Sequence, residues 1–150
     1  MLAEGQSIPT FTVLTAQGES FSNQDLLGKK TILYFYPKDD TPGCTKEGQA
    51  FSDALPDFNE KNITIYGISK CSPKKHQTFC SKYQFKHELL SDENSTMCEA
   101  FGVWVEKSMY GRTYMGIERS TFLIDETGKV LKIWRNVKVT NHVKDVLNSL

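Results

Sequence analysis

Hydrophobic residues recur along the chain in two patterns, and the first of these predicts strands. Dense runs of β-branched, aliphatic and aromatic residues occupy positions 29–36 and 62–69, and a shorter run is formed by Leu89 and Leu90. Runs of this length and composition are typical of strands that are buried on both faces. Pro37 ends the first run, because proline cannot donate a hydrogen bond to a sheet ladder. We therefore expect three buried strands.

The second pattern places apolar residues at helical spacing behind a capping residue. One helix is predicted from Thr41 and Pro42 towards Lys61, and another from Ser72 to Tyr83. A serine or threonine cap, with proline in the first helical position, is typical of a helix start. The residues that share one face are Phe51, Leu55 and Phe58 in the first helix and His76, Phe79, Cys80 and Tyr83 in the second. Shorter helices are predicted after Ser22, after Ser95 and after Thr140.

Alternating segments around glycine turns predict hairpins. Two short strands flank Gly18, and the segments 120–125 and 129–134 flank a three-residue loop that ends in glycine. The stretch 103–116, which contains several glycines, is predicted as an irregular or hairpin segment. Strands separated by helices, followed by a hairpin and a helix, are typical of an α/β sandwich with parallel and antiparallel pairs. We expect one domain over residues 1–150, with a central mixed sheet flanked by helices.

Charge and composition exclude several classes of partner. Eighteen basic residues balance eighteen acidic ones, without a block of like charge that would attract nucleic acid or an anionic membrane. No stretch approaches the roughly 18 apolar residues of a membrane span, and the N-terminal residues lack the pattern of a signal peptide. The four cysteines are widely spaced, unlike those of a secreted disulfide scaffold. The expected compartment is therefore the cytoplasm.

The segment from Tyr34 to Glu47 places Cys44 in the first turn of a predicted helix. Backbone N–H groups without intrahelical partners, and the positive end of the helix dipole, stabilise a thiolate there. Such sites lower a cysteine pKa from about 8.5 into the range of roughly 3.5–7.5. Because only the thiolate is a good nucleophile, Cys44 is a candidate reactive thiol. The alternative is a small buried hydrophobic residue, which is what most free cysteines are.

The residues around Cys44 resemble the active-site motif of an enzyme family. Pro37, Thr41 and Cys44 form the pattern Pro-x-x-x-Thr-x-x-Cys of the peroxiredoxins, and residues 35–47 are similar to the bacterioferritin-comigratory, or Q, subfamily. A second block, residues 107–125, resembles the same subfamily. The resemblance extends from the first hairpin to the last helix and implies a thioredoxin-like fold.

The resemblance implies a thiol-dependent peroxidase that reduces hydrogen peroxide and organic hydroperoxides. The thiolate of Cys44 would attack the terminal peroxide oxygen and become a sulfenic acid, the first product of cysteine oxidation. The supporting residues that it implies are Thr41, Gly43 and Arg119 for binding the peroxide, Pro37 for shielding the pocket, and Glu47 for orienting Arg119. No metal, haem or flavin is expected to take part. Without the resemblance, Thr41 is only a helix cap, and Arg119 and Glu47 are solvated charges.

The resemblance also concerns a second cysteine, which would resolve the sulfenic acid of Cys44. Gln49 occupies the position, five residues after Cys44, at which many members carry a resolving cysteine. Other members place this cysteine in the following helix, so the resemblance implies a disulfide between Cys44 and Cys80. The alternatives are a one-cysteine enzyme that an external thiol reduces directly and a redox-sensing or holdase protein. Cys71 is expected to be a structural or partly exposed thiol, and Cys98 has no assigned role.

Electrons are expected to come from thioredoxin, or from glutaredoxin or glutathione in a one-cysteine cycle, and the resemblance implies a monomer. Trp104, Tyr110 and Met115 are candidate side chains for setting the size of the peroxide pocket. Two rival sites have weaker support. The cysteines and histidines lack the paired spacing of a zinc site, and Cys44 lacks the second cysteine of a CxxC dithiol.

Overall fold

The computed structural model describes residues 2–150, and these residues form nine strands and four α-helices. The strands are β1 (Thr12–Thr15), β2 (Ser20–Ser22), β3 (Lys30–Phe35), β4 (Ile63–Ser69), β5 (Glu88–Ser91), β6 (Trp104–Met109), β7 (Arg112–Ile117), β8 (Ser120–Ile124) and β9 (Val130–Trp134). The helices are α1 (Pro42–Glu60), α2 (Pro73–Tyr83), α3 (Thr96–Ala100) and α4 (His142–Asn148), with a short 3-10 helix over Asn23–Leu26. None of the helices in this described part of the chain is long and apolar enough to cross a membrane.

Seven strands form a mixed sheet in the order β2-β1-β5-β4-β3-β8-β9, while β6 and β7 form a separate hairpin. β4 lies parallel to both of its neighbours, β3 and β5, whereas β3 and β8 are antiparallel. The hairpins predicted at the two ends of the chain are the pairs β1–β2 and β8–β9. The predicted α/β fold with parallel and antiparallel pairs is therefore confirmed.

Side chains of β3 alternate between two hydrophobic cores, one on each face of the sheet. Leu33 and Phe35 belong to the core that contains residues of α3, whereas Ile32 and Tyr34 belong to the core that contains residues of α1, α2 and α4. This alternation follows from the period of two along a strand. Because both faces are covered, residues 31–35 are all buried, as the dense apolar run predicts.

The ends of three strands meet at one edge of the sheet. In the register of the central strands, Phe35 pairs with Ile68 of β4 and with Ser120 of β8. The loops that follow parallel strands lie at the same edge, which is where sites form in α/β sheets. The loop after β3 (residues 36–41) therefore lies close to the end of β4 and to the short link before β8.

The stretch 103–116, predicted as irregular or hairpin, contains most of a regular antiparallel hairpin. Its pairing runs from Trp104 opposite Ile117 to Met109 opposite Arg112. The two residues of the turn, Tyr110 and Gly111, both have positive φ, at 53° and 78°. This conformation gives a two-residue turn the twist that its strands require.

The predicted helix caps are confirmed at two positions and wrong at three others, one of which, Thr41, precedes α1 without capping it through its side chain. The hydroxyls of Ser22 and Ser72 accept hydrogen bonds from backbone N–H groups of the following turn. Ser95 precedes α3, but its side chain does not cap the helix; the carboxylate of Asp92 accepts from the N–H groups of Met97 and Cys98 instead. A carboxylate offers two charged acceptors to the positive end of a helix, so it satisfies both groups.

The third wrong cap is Thr140, because α4 begins two residues later, at His142. Asn141 occupies the position before this helix and has a left-handed backbone with φ 62°. Asparagine adopts that conformation more readily than threonine, whose branched side chain clashes there. The helix start is therefore displaced by one residue from the position that the cap preference indicates.

We predict that Gly67→Ala destabilises the protein by about 1–3 kcal/mol, because the added Cβ has no room. It would lie 2.6 Å from Cζ of Tyr34 and 2.8 Å from Cδ2 of Leu89. Tyr34 cannot move aside, since its ring stacks on Phe51 and its hydroxyl hydrogen-bonds His87 at 2.6 Å. Urea unfolding measures the change.

The matched control is Gly116→Ala in the exposed hairpin, where the nearest atom, 3.2 Å from the added Cβ, belongs to the flexible side chain of Lys107. Its free energy of unfolding should stay within about 0.5 kcal/mol of the starting protein. Equal effects at the two glycines would contradict the packing described for Tyr34.

Candidate active site

Cys44 lies in the first turn of α1, buried to 2% exposure, in the position that the sequence predicts. Thr41 precedes the helix, and Pro42 is its first residue. The hydrogen bond from the Thr45 N–H to the Thr41 carbonyl, 2.8 Å long, begins the helical ladder. The amides of Gly43 and Cys44 precede that bond, so they are directed to the end of the helix where the sulfur lies.

The guanidinium of Arg119 bridges the sulfur of Cys44 and a carboxylate. Its Nη2 donates to Sγ of Cys44 at 3.4 Å, and its Nη1 donates to Oε1 of Glu47 at 2.7 Å. Arg119 comes from the link between β7 and β8, and the pairing of β8 with β3 brings it to the start of α1. The structure thus brings together the three residues from two distant segments.

Glu47 is a buried carboxyl group with one partner. Its side chain is fully buried, and Oε2 has no hydrogen-bond partner among residues 2–150. Burial raises the pKa of Glu47 from its ordinary value of 4.5 to about 7, although the nearby Arg119 acts in the opposite direction. Interpreting Glu47 as a solvated helix residue is therefore wrong.

Arg119 keeps its charge in this setting. Burial lowers the pKa of its guanidinium, but Glu47 and Cys44 outweigh that effect, and the net shift is upward. Its side chain is only 16% exposed, so the interpretation as a solvated charge is also wrong. A permanent positive charge therefore lies beside the sulfur of Cys44.

Thr41 lies next to the site, but its hydroxyl already donates a hydrogen bond to another group. It does not cap α1, and Oγ1 donates to the carbonyl of Lys38 at 2.8 Å. A hydroxyl has one proton, so this bond and donation to the Cys44 sulfur exclude each other. A contact between Thr41 and a peroxide stays a prediction, and donation would require rotation of the hydroxyl away from Lys38.

A cavity of about 410 Å³ adjoins the loop after β3. Its lining includes the exposed Pro37 together with Trp104 and Met115. Cys44 and Arg119 do not line this cavity, so a role for Trp104 and Met115 in the peroxide pocket stays a prediction. The same prediction for Tyr110 is wrong, because this side chain is 98% exposed at the tip of the hairpin and does not line the cavity. Burial and then the charge of Arg119 lower the pKa of Lys107, which also lines this cavity.

Lys107 is a residue that sequence reasoning missed at this site. It belongs to the second block of family resemblance, but nothing in its spacing distinguished it from the other lysines of the chain. The pairing of β6 with β7 places Lys107 opposite Tyr114, and Lys107 lies close enough to Arg119 for that charge to lower its pKa.

All four cysteines are free, and their environments differ. Cys80 is half-buried on α2, and burial raises the pKa of its thiol to about 11. Cys71 is half-buried at the cavity and accepts a hydrogen bond from the Asp39 N–H at 3.4 Å. Cys98 is fully buried, and burial followed by the charge of Asp92 raises its pKa.

No metal centre is present among residues 2–150 in the form of three or more grouped histidine, cysteine or acidic side chains. The described residues therefore contain no group of ligands for the alternative zinc site.

Comparisons with known proteins identify the family. Residues 5–133 match the AhpC/TSA family. The chain is 51% identical over 146 residues to a putative peroxiredoxin Bcp of Coxiella burnetii, covering 97% of each chain. It is 45% identical over 146 residues to the peroxiredoxin Bcp of Bacillus subtilis, covering 97% of this chain and 93% of that one. The chain belongs to the AhpC/TSA family. Within it, this peroxiredoxin is of the Bcp, or Q, type and is a thiol peroxidase, as the motif predicts.

Solved structures of this type confirm the thioredoxin-like fold. Peroxiredoxin Q of Xanthomonas campestris superposes with a TM-score of 0.88 at 42% identity, covering 93% of this chain and 88% of that chain. Two further structures of that protein carry serine in place of one or the other of two cysteines. Those two cysteines are separated by the same number of positions as Cys44 and Cys80. A fourth structure concerns the alkyl peroxide reduction activity of the Xanthomonas protein.

The buried carboxyl of this peroxiredoxin predicts a specific pH dependence of stability. The pKa of Glu47 is higher in the folded protein, about 7, than its ordinary value of 4.5. Folding therefore favours the protonated form, and the cost of ionising Glu47 appears as the pH rises from 4.5 to 7. Relative to Glu47→Gln, the unfolding free energy of the starting protein should fall by at most about 3 kcal/mol over this interval.

Urea unfolding of both proteins between pH 4.5 and pH 8 measures this difference. Glutamine does not ionise, so any constant effect of the substitution on Arg119 cancels when the two pH profiles are subtracted. A difference that does not change with pH would show that the Glu47 carboxyl is not shifted upward.

We also predict that Arg119→Lys slows oxidation of the Cys44 sulfur by peroxide about 100-fold, the loss typical of removing a charged donor from a reacting site. A single ammonium group cannot reach both Sγ of Cys44 and Oε1 of Glu47 in the way that the guanidinium does. Stopped-flow fluorescence under single-turnover conditions gives the rate constant. Arg112→Lys, at an exposed position of β7, is the control and should stay within twofold. A loss of less than threefold at Arg119 would contradict its role.

Proposed function

We propose that this peroxiredoxin reduces hydrogen peroxide and organic hydroperoxides through the sulfur of Cys44. The observation that supports this most directly is the guanidinium of Arg119, which contacts Sγ of Cys44 at 3.4 Å while Glu47 anchors it at 2.7 Å. A charged donor beside a sulfur at a helix N-terminus suits a reaction in which a thiolate attacks and negative charge then develops on oxygen. The alkyl peroxide activity of the Xanthomonas relative supports the organic substrates.

In the first step the thiolate of Cys44 attacks the terminal oxygen of the peroxide. A sulfur–oxygen bond forms, the oxygen–oxygen bond breaks, and after proton transfer the products are Cys44 sulfenic acid and water or an alcohol. Arg119 stabilises the charge on the departing oxygen. The amides of Gly43 and Cys44 point at the substrate, and Thr41 donates to it after its hydroxyl leaves the Lys38 carbonyl. Pro37 limits access of water from the cavity side.

In the second step the thiol of Cys80 attacks the sulfenic acid of Cys44. A disulfide forms and one water molecule leaves, so the step is balanced without another reactant. Two observations support this choice of cysteine. Cys80 packs against the same hydrophobic core as Cys44, and the separation of the two matches that of the substituted cysteines in the Xanthomonas protein.

The second step requires a change in α2. The thiol of Cys80 has a pKa of about 11 because of its burial, so little thiolate exists at neutral pH while the helix is packed. A disulfide also needs the two Cα atoms within about 7 Å of each other. Movement of α2 that exposes Cys80 would lower the thiol pKa and bring the sulfur to Cys44 in the same event.

The same burial favours the alternative cycle, in which Cys80 takes no part. In that one-cysteine version an external thiol, such as glutathione or glutaredoxin, attacks the sulfenic acid of Cys44 directly. In the two-cysteine version the disulfide is reduced by a dithiol protein, for which we propose thioredoxin. We further propose that the protein acts as a monomer in the cytoplasm and uses no metal, haem or flavin.

The experiment that tests the cycle is peptide mapping under non-reducing conditions after one equivalent of hydrogen peroxide. We expect a peptide in which Cys44 and Cys80 are cross-linked, and its absence would leave the one-cysteine cycle. Cys98→Ser is the matched control, because a fully buried thiol should not affect the product.

Cys44→Ser should abolish peroxide turnover with any reductant; retained turnover would refute the whole proposal.

A further inference from the structure

The loop that precedes Cys44 is attached to α2 on both sides of Cys80. Asp39 contacts His76, four residues before Cys80, and Asp40 contacts Lys82 and Tyr83, two and three residues after it. We call these contacts, made by Asp39 and Asp40 with His76, Lys82 and Tyr83, the α2 clamp. The same short loop therefore leads into the reactive cysteine and fastens the helix that carries the second one.

The inner half of the clamp is a buried network around Asp39. Its Oδ2 lies 2.6 Å from Nδ1 of His76, and its Oδ1 accepts from the hydroxyl of Tyr36 at 2.6 Å. Nε2 of His76 lies 2.9 Å from the carbonyl of Leu90, which can only accept, so this nitrogen carries a proton. Asp39 and His76 are 2% and 0% exposed, and a hydrogen bond sheltered from water resists separation.

The outer half of the clamp is exposed and weaker. One oxygen of Asp40 accepts from Nζ of Lys82 at 2.8 Å, and the other accepts from the hydroxyl of Tyr83 at 2.6 Å. Asp40 has a left-handed backbone with φ 59°, which turns the chain towards α2. Aspartate and asparagine adopt this conformation more readily than other side chains except glycine.

We propose that Asp39 and Asp40 are positioning residues that control how readily Cys80 is released from α2 to meet oxidised Cys44. This rests on the proposed two-cysteine cycle. The clamp keeps Cys80 packed while the Cys44 thiolate reacts with peroxide, and its opening precedes disulfide formation. Because both aspartates lie within five residues of Cys44, a displacement of the loop on oxidation would strain both halves of the clamp at once.

The first test measures release of Cys80 without any oxidation. In a Cys44→Ser background, the rate at which iodoacetamide alkylates Cys80 reports the fraction of molecules in which this part of α2 is open. Asp40→Asn keeps the left-handed backbone but loses the charge, and Tyr83→Phe loses one hydrogen bond. Each should raise the alkylation rate of Cys80 about three- to tenfold, the loss of one modest hydrogen bond expressed as a ratio of populations.

Two controls separate release of α2 from general destabilisation. Cys98, fully buried in α3, is alkylated only when the core opens, so its rate in the same samples should not change. Lys74→Met removes an exposed lysine of α2 that is not part of the clamp, and Cys80 should react as in the background protein. Asp39→Asn breaks the buried half and can unfold the protein, so the exposed variants decide the outcome.

The second test uses the protein with Cys44 present. After mixing with peroxide, the rate constant of the peroxide-dependent phase in Tyr83→Phe should stay within twofold of that of the starting protein. The later formation of the disulfide, which does not depend on peroxide concentration, should be three- to tenfold faster. Unchanged alkylation of Cys80 in both variants would overturn the clamp, whatever the cycle. Faster alkylation without faster disulfide formation would overturn its part in catalysis. If mapping finds no Cys44–Cys80 disulfide in the starting protein, the two-cysteine cycle itself fails, and the positioning role fails with it.

Discussion

The candidate site depends on one guanidinium held between a buried carboxyl group and a sulfur. Arg119 lies 72 residues from Glu47 and 75 residues from Cys44 along the chain, so local structure cannot bring them together. The pairing of β8 with β3 does so, because it delivers the link before β8 to the start of α1. Burying an unpaired ion is costly, and the contacts with Glu47 and Cys44 offset the effect of burial on the guanidinium of Arg119.

The loop between β3 and α1 connects to two different parts of the structure. On one side it leads into the first turn of α1, where Cys44 meets Arg119. On the other side Asp39 and Asp40 contact α2, the helix that carries Cys80. A short segment that is held at both ends, in part by buried contacts, transmits a displacement more readily than it absorbs one, because closely packed interiors resist gradual deformation. The proposed link between the chemistry of Cys44 and the packing of α2 rests on these two sets of contacts.

Most elements were predictable from the sequence, and the errors occur where the outcome depends on how other segments fold rather than on local preferences. The dense runs identified β3 and β4, and Ser22 and Ser72 cap their helices because a cap acts over only three residues. Capping by Asp92 in place of Ser95 depends on how the preceding turn folds, which cap preferences do not describe. Which residues line the cavity also depends on tertiary structure. The β6–β7 hairpin places Trp104 and Met115 at the cavity, whereas the tip of the hairpin lies outside it.

The sequence by itself determined the position of Cys44 at the start of a helix, the α/β fold and the family, because these follow from short patterns and local preferences. Only the tertiary structure decided that Glu47 is buried, that Arg119 reaches the sulfur and that burial raises the pKa of the Cys80 thiol. Each of these properties is set by neighbours that are remote in sequence. Exclusion of water and close approach of charges arise only when the sheet and helices pack together.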